Sequence, residues 1–322
     1  MIALVQEAER AGVDACWVID SQLAMRDAFM LLTLLARETN EIRLGPGVTN
    51  LITRHPTVVA NSLVTLRALA PGRMLAGIGA GDSAVYPLGR KPQSVDRLRE
   101  GIVELRALLA GETADGTTTG LRLSGTEGPP EPIFLAASQP RMLHLAGAIA
   151  DGVIVMGPAD PEVQRLQMGH VDRGAAEAGR SPEDIFRDIW VTMAVDGDEA
   201  GVDSVRSWAS AQARWLSKWE LLPPGLRPFE EDMRKAAEAY DFERHLSRSA
   251  GHAAVVSDEL AAALAVVGGV EECAGRIRQI VDVGADRMTV SLLSGGRERR
   301  LQDLLGVWEA ATTASATRGG EA

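Results

Sequence analysis

The sequence predicts an α/β fold, a TIM-type (β/α)8 barrel, and three observations carry that expectation. Short apolar strands alternate with helical segments along the whole chain, the pattern of parallel strands covered by helices. No GxGxxG follows the first strand, so a dinucleotide-type open sheet lacks its signature. Polar or glycine-rich strand ends recur from one end of the chain to the other rather than gathering at one crossover, as in a barrel whose strand ends all face the site. At 322 residues and 46% apolar composition, the chain is long enough to bury one large core.

The elements follow in order. Residues 2–11 read as a helix with Leu4, Ala8 and Ala11 on one face and Gly12 as its stop. Residues 15–20 read as a buried strand ending in a charge, residues 28–39 as a helix, and Ile42-Arg43-Leu44-Gly45 as the start of a second strand. Pro56 suits the first turn of a helix running to Leu69. Met74 to Gly79 is a third strand, glycine-rich because something must approach its end closely. Ser94 to Leu109 is an amphipathic helix, and Thr117 to Ser124 reads as a small hairpin outside the repeating unit. Strands over 132–137 and 151–156 alternate with helices over 140–148 and 160–178. A strand over 189–195 precedes a mostly helical stretch, 198–250, broken near Leu222-Pro223-Pro224-Gly225. A helix over 271–283 with Gly284 as its C-cap, a strand over 287–292 and a helix over 299–312 complete the pattern.

This reading finds seven core strands, near residues 15, 42, 74, 132, 151, 189 and 287, where a closed barrel needs eight. The chain opens on a helix, so the first strand is the one expected to be missing: it lies upstream of Met1, or the numbered chain is a shortened form. Residues 1–312 are expected to form a single barrel domain with excursions at about 112–131 and 198–255, and 313–322 a flexible tail.

Charge narrows the partners. The formal net charge of −11 argues against a nucleic-acid groove, which needs clustered Lys and Arg, and against an anionic membrane surface. The N-terminus carries no basic leader and no long apolar span is present, so the expected setting is cytoplasmic, with a small-molecule substrate and no nucleic acid or membrane partner. Cys16 and Cys273 sit in no CxxC pair, and no His, Asp and Glu residues show metal-site spacing, so no metal is expected.

Four segments can carry chemistry. In Leu44-Gly45-Pro46-Gly47-Val48-Thr49-Asn50, glycines at a strand end let a flat ligand lie against bare backbone, while Thr49 and Asn50 add hydrogen-bonding groups. Arg54 and His55 follow with charge or proton-transfer capacity; equally, this is a strand end, a turn and a helix start, with His55 filling a cap. Gly79-Ala80-Gly81-Asp82-Ser83 resembles a phosphate cradle without the P-loop Lys, and it reads equally as a turn. Ala137-Ser138-Gln139 leads into a proline-started helix whose N-terminus offers free N–H groups, and Met156-Gly157 closes a strand with a glycine at its exit. Asp20-Ser21 follows the first visible strand, where an acid reads as a site residue or as a helix cap, and Arg26 and Asp27 can pair inside the same loop.

Taken in order, Gly45-Pro46-Gly47-Val48-Thr49-Asn50, Thr53-Arg54-His55-Pro56, Pro71-Gly72-Arg73, Gly79-Ala80-Gly81-Asp82, Ala150-Asp151-Gly152 and Gly268-Gly269-Val270-Glu271-Glu272 resemble the luciferase-like flavin oxidoreductases. The resemblance is nearest the branch of methylenetetrahydromethanopterin reductase, which uses the 8-hydroxy-5-deazaflavin coenzyme F420. It spans nearly the whole chain and is weakest over 198–255. It implies a barrel of the luciferase-like kind, with a non-proline cis peptide at Gly47-Val48, or one bond to either side, against the deazaflavin ring. It puts Gly47, Val48, Thr49 and Asn50 near that ring. The phosphate-bearing tail would run over Gly79, Ala80, Gly81, Asp82, Ser83, Ala137, Ser138, Gln139, Met156 and Gly157. The family's acid–histidine pair maps onto Asp20 and Ser21 as catalytic candidates; a serine in place of an imidazole is a hydrogen-bonding group rather than a proton exchanger near neutrality. The family often pairs through barrel helices, which makes a homodimer one expected assembly.

The function so implied is a coenzyme F420-dependent oxidoreductase transferring a hydride between the deazaflavin and a small organic substrate. Two alternatives stand beside it: an FMN-dependent luciferase-like monooxygenase, and a non-catalytic barrel acting as a binding protein or partner subunit.

Overall fold

A computed structural model provides the fold and describes residues 1–113, 121–195, 199–219, 222–242, 251–292 and 296–319. The elements are α1 (Ile2–Arg10), β1 (Ala15–Val18), α2 (Ala28–Glu38), β2 (Arg43–Pro46), β3 (Thr49–Asn50), α3 (Pro56–Leu69), β4 (Ala76–Gly79), α4 (Val95–Leu109) and β5 (Ile133–Ala137). They continue as α5 (Pro140–Ile149), β6 (Gly152–Met156), α6 (Pro161–Glu177), β7 (Phe186–Val191), β8 (Met193–Val195), α7 (Glu199–Leu216), α8 (Glu230–Glu238), α9 (Gly251–Ala254), α10 (Asp258–Leu264), β9 (Val266–Gly268), α11 (Val270–Val281), β10 (Arg287–Val290) and α12 (Arg297–Gly319). The fold is α/β with parallel strands, and the expected alternation of strands and helices is present.

The chain gathers into two compact units. The first holds Met1–Ala137, His144–Val153 and Val171–Ile185; the second holds Ser138–Leu143, Ile154–His170 and Phe186–Ala322. In the first, β1 pairs in parallel with β2, and β3–β4–β5 form a parallel run. In the second, β7 pairs with β10 and β8 with β9, again in parallel.

Local chemistry explains where the first unit's helices start. The carboxylate of Asp27 accepts the Met30 N–H at 3.0 Å and caps α2. His55 accepts the Thr57 N–H ahead of Pro56 and caps α3, the reading in which this histidine is a cap. Ser94 caps α4, whose buried stripe is Leu98, Ile102, Leu105, Leu108 and Leu109, the spacing of an amphipathic helix. Arg67 and Glu131, both buried, form a two-pronged ion pair at 2.7 and 2.6 Å that clasps the segment before β5.

The glycines of the first unit have an internal reason. A Cβ on Gly45 would lie 2.6 Å from the Leu75 carbonyl oxygen and 2.7 Å from the Trp17 ring. On Gly77 it would collide with the Pro46 carbonyl oxygen and the Trp17 ring, and on Gly79 it would lie 2.8 Å from Val48 Cγ2. Trp17 in turn meets Phe134 edge-on at 5.6 Å. The close approach that the glycine-rich strand implies is thus made by the protein's own Trp17 and Val48, large groups over small ones.

Several boundaries differ from those read in the sequence. The second and sixth strand regions each divide, into β2 and β3 at Gly47-Val48 and into β7 and β8 at Thr192, because the two halves pair with different neighbours. β9 was not expected: three residues, Val266-Val267-Gly268, follow the Ala-rich α10 too closely to show a strand period. It pairs with β8 and not with the β7–β10 sheet. In the expected hairpin, residues 117–120 lie outside the described residues and Leu121 to Ser124 form no strand. The last helix runs on to Gly319 through Ala310, Ala311, Ala314 and Ala316, and alanine is the best helix former. The stretch read as an excursion, 198–255, contributes to a core cluster of the second unit: Val205, Ala209, Ala213 and Leu216 of α7 and Met233 of α8 pack with Leu260 and Leu264 of α10.

Candidate active site

The C-terminal ends of β1, β3 and β4 meet in the first unit. The chain leaves β2 at Pro46, the Gly47 N–H donates to the Val18 carbonyl at 2.7 Å, and the Gly47–Val48 peptide is cis, where the resemblance puts it. β3 then places Thr49 fully inside, with its hydroxyl donating to Asp20 Oδ2 at 2.6 Å. Asn50 closes a turn: its Oδ1 accepts the N–H groups of Ile52 and Thr53, and its Nδ2 donates to Thr53 Oγ1. The turn returns Arg54 toward the end of β1, with its guanidinium 4.9 Å over the Phe29 ring.

There Arg54 joins two carboxylates. Its Nε donates to Asp20 Oδ2 at 2.9 Å and its Nη2 to Asp20 Oδ1 at 3.1 Å, a fork matched to a carboxylate. Nη2 also donates to Asp27 Oδ2 at 2.7 Å. Asp27 therefore pairs with Arg54 rather than with its neighbour Arg26. The hydrogen bonds to Asp20, then those to Asp27, hold the Arg54 guanidinium well above its ordinary pKa against the opposing effect of burial. Burial works against ionisation of Asp27, but hydrogen bonds from Arg54 and from the Met30 and Phe29 N–H groups outweigh it and keep the carboxyl below the usual range.

The loop after β1 is fastened to the loop after β4. Ser21 Oγ and Ser83 Oγ share a 2.7 Å hydrogen bond, and Gln22 Nε2 donates to the Ala84 carbonyl at 2.8 Å. Ala80, Gly81, Asp82 and Ser83 are half-buried; Gly81 takes a left-handed φ of +91°, with Val85 against it. The structure thus brings Asp20, Ser21, Val48, Thr49, Asn50 and the 79–83 loop to one end of these strands. It commits the side chains of Thr49 and Asn50 to Asp20 and to the turn.

In the second unit, Gln139 precedes α5 and its Nε2 donates to the Trp215 carbonyl at 2.7 Å, while its own carbonyl accepts the Met142 and Leu143 N–H groups. At the exit of β6, the carbonyls of Met156, Gly157 and Pro158 each receive a buried glutamine: Gln167, Gln212 and Gln164, at 3.4, 2.8 and 3.1 Å. Gly157 is buried, and a Cβ there would lie 2.6 Å from Gln167 Oε1. Ala137, the last residue of β5, is buried in the first unit.

Sequence reading missed the Arg54 bridge, Gln22 and the three glutamines. The glutamines do leave a trace: Gln164 and Gln167 fall on the inward stripe of α6 beside Val163, Met168 and Val171, and Gln212 lies in Ala209-Ser210-Ala211-Gln212-Ala213. Neither cysteine offers a ready thiolate, since burial pushes both thiols up to about 11. Among the described residues no helix is long and apolar enough to cross a membrane.

Comparison with known proteins places this geometry. Residues 1–287 match the family described as luciferase-like monooxygenase. The 5,10-methylenetetrahydromethanopterin reductase of Methanolobus tindarius is 30% identical over 308 residues, which cover 93% of this chain and 92% of that protein. The F420-dependent hydroxymycolic acid dehydrogenase of Mycobacterium tuberculosis is 31% identical over 266 residues, 77% of this chain and 70% of that one. Among solved structures, an F420-dependent secondary alcohol dehydrogenase in complex with an F420–acetone adduct superposes with a TM-score of 0.77 at 20% identity, covering 96% of this chain and 94% of that one.

Proposed function

Because the chain belongs to the luciferase-like monooxygenase family and is homologous to F420-dependent methylenetetrahydromethanopterin reductase and related F420 enzymes, we propose that it is a coenzyme F420-dependent oxidoreductase acting on a small organic substrate. The observation that carries the reading is the polar cluster at the ends of β1, β3 and β4, a buried, braced carboxylate beside the cis Gly47–Val48 peptide. Closure of the parallel strands into a (β/α)8 barrel is part of the same proposal.

The residues present fit a flat, phosphate-bearing coenzyme. The half-buried 80–83 loop offers polar groups, and its left-handed turn at Gly81, with Val85 against it, leaves no room for a Cβ. In the first unit Gly47, Val48 and Gly79 to Ser83 would hold it. The bound deazaflavin supplies the hydride chemistry. The protein's part is to orient the substrate and exclude water. Asp20, braced by the Arg54 fork, presents a fixed acceptor, and the Ser21–Ser83 hydroxyl pair presents a donor and an acceptor.

Titration of the purified protein with coenzyme F420 and with FMN tests this. Saturable binding of the deazaflavin and hydride transfer to a member of a substrate panel are expected. Binding of neither coenzyme overturns the reading. FMN binding with substrate-dependent oxygen uptake replaces it with a monooxygenase, and coenzyme binding without transfer replaces it with a binding protein.

A further inference from the structure

We propose that Arg54 is a positioning residue that fixes Asp20 as a hydrogen-bond acceptor with one open lone pair, so that the substrate is recognised there through an O–H or N–H donor. The proposal rests on the oxidoreductase reading for the word substrate; the hydrogen-bond arrangement itself does not.

A carboxylate offers about four lone-pair positions. Oδ2 of Asp20 accepts two donors, the Thr49 hydroxyl at 2.6 Å and Arg54 Nε at 2.9 Å. Oδ1 accepts one, Arg54 Nη2 at 3.1 Å. Among the described residues, one position on Oδ1 remains. Both oxygens face donors, so Asp20 acts by accepting. The fork cannot turn: the guanidinium lies 4.9 Å over Phe29, its Nη2 is tied to Asp27 at 2.7 Å, and its approach is set by the Asn50 turn. Two carboxylates against one guanidinium leave a net negative charge, which disfavours a carboxylate or phosphate at this point of the ligand and favours a hydroxyl or amine. Asp27, the outer partner with its side chain 40% exposed, keeps the second prong of Arg54 from swinging away.

The test reads the carboxyl carbon of Asp20 directly. Protein labelled with 13C at the aspartate side-chain carboxyl is examined by NMR, and the Asp20 signal is identified by its loss in Asp20→Asn. The probes are 2-propanol and its methyl ether, which differ in the donor. The expected result is a saturable shift of the Asp20 signal with the alcohol and none with the ether. In Arg54→Lys, which keeps the charge and loses the fork, the alcohol concentration for half-saturation rises at least tenfold. An equal response to the ether, no response to the alcohol, or a wild-type response in Arg54→Lys overturns the proposal. If Arg54→Lys does not fold, Asp27→Asn replaces it; there the half-saturation point is expected to rise about threefold, and an unchanged value overturns the proposal. Failure of wild-type protein to bind coenzyme F420 sinks the functional reading while leaving this measurement decisive.

Discussion

The strand ends of the two units use opposite means to hold polar groups out of water. In the first unit charges satisfy one another: Asp20 takes three hydrogen bonds from Thr49 and Arg54, and Arg54 reaches on to Asp27. In the second unit neutral amides do the work. Gln164, Gln167 and Gln212 donate to the carbonyls after β6, and their own Oε1 atoms have no partner among the described residues. The charged arrangement fixes one geometry and makes each member costly to remove. The amide arrangement caps a strand exit and is more forgiving, because a glutamine contributes a modest net hydrogen bond and already carries an unmatched acceptor.

Glycine substitutions should break the comparison most sharply. In Gly77→Ala the new methyl group meets the Pro46 carbonyl and the Trp17 ring, atoms that cannot retreat without moving the strand. A loss of about 3 kcal/mol is expected, at the upper end of overpacking costs. Gly157→Ala meets the end of the Gln167 side chain, which can shift, and should cost about 1 kcal/mol. Urea unfolding of the two variants gives the values, and equal losses would remove the distinction.

A smaller effect separates the hydrogen bonds themselves. Thr49→Val removes a donor from a buried carboxylate and should destabilise by about 1–3 kcal/mol. Gln167→Met removes a 3.4 Å bond together with an orphaned acceptor and should cost less than about 1 kcal/mol. Thermal melts at one pH rank the pair, and the reverse order would count against the contrast.

The smallest effect is electrostatic. The Asp27 carboxyl in the folded protein titrates below its ordinary value, since hydrogen bonds from Arg54 and the helix N–H groups overcome burial. A depressed carboxylate pKa contributes stability in full above the unfolded value, about 4, and loses it as pH falls through the folded one. With the side chain 40% exposed the effect is modest. Asp27→Asn should melt about 1–2 °C below wild type at pH 7, and the gap should close as the pH falls below the carboxylate range. A gap that persists in acid would assign the loss to the α2 cap instead.

Much of the first unit is legible in the sequence because its signals are local. Pro56 marks the start of α3, Ser94 caps α4, and the 3.6-residue stripe from Leu98 to Leu108 marks its buried face. Asp20 stands out as an acid just past an apolar strand. The partners of these residues are not legible. Asp20 and Arg54 lie 34 positions apart and Ser21 and Ser83 lie 62 apart, and nothing local distinguishes Arg54 as a bridge from Arg54 as a free charge. β9 stayed hidden because three residues carry no period, and its strand character comes from pairing with β8.

By itself the sequence determined the alternation of strands and helices, the caps, and the polar composition of the strand ends, because propensity and side-chain period act over a few residues. Tertiary structure alone decided what those residues touch. The glycines read as room for a ligand are covered at Gly45, Gly77 and Gly79 by Trp17 and Val48, and the acid read as a site residue or a helix cap is braced by an arginine from another loop. Contacts of that kind depend on which strand ends are brought side by side, and that is settled by packing across the whole fold rather than by any stretch of chain.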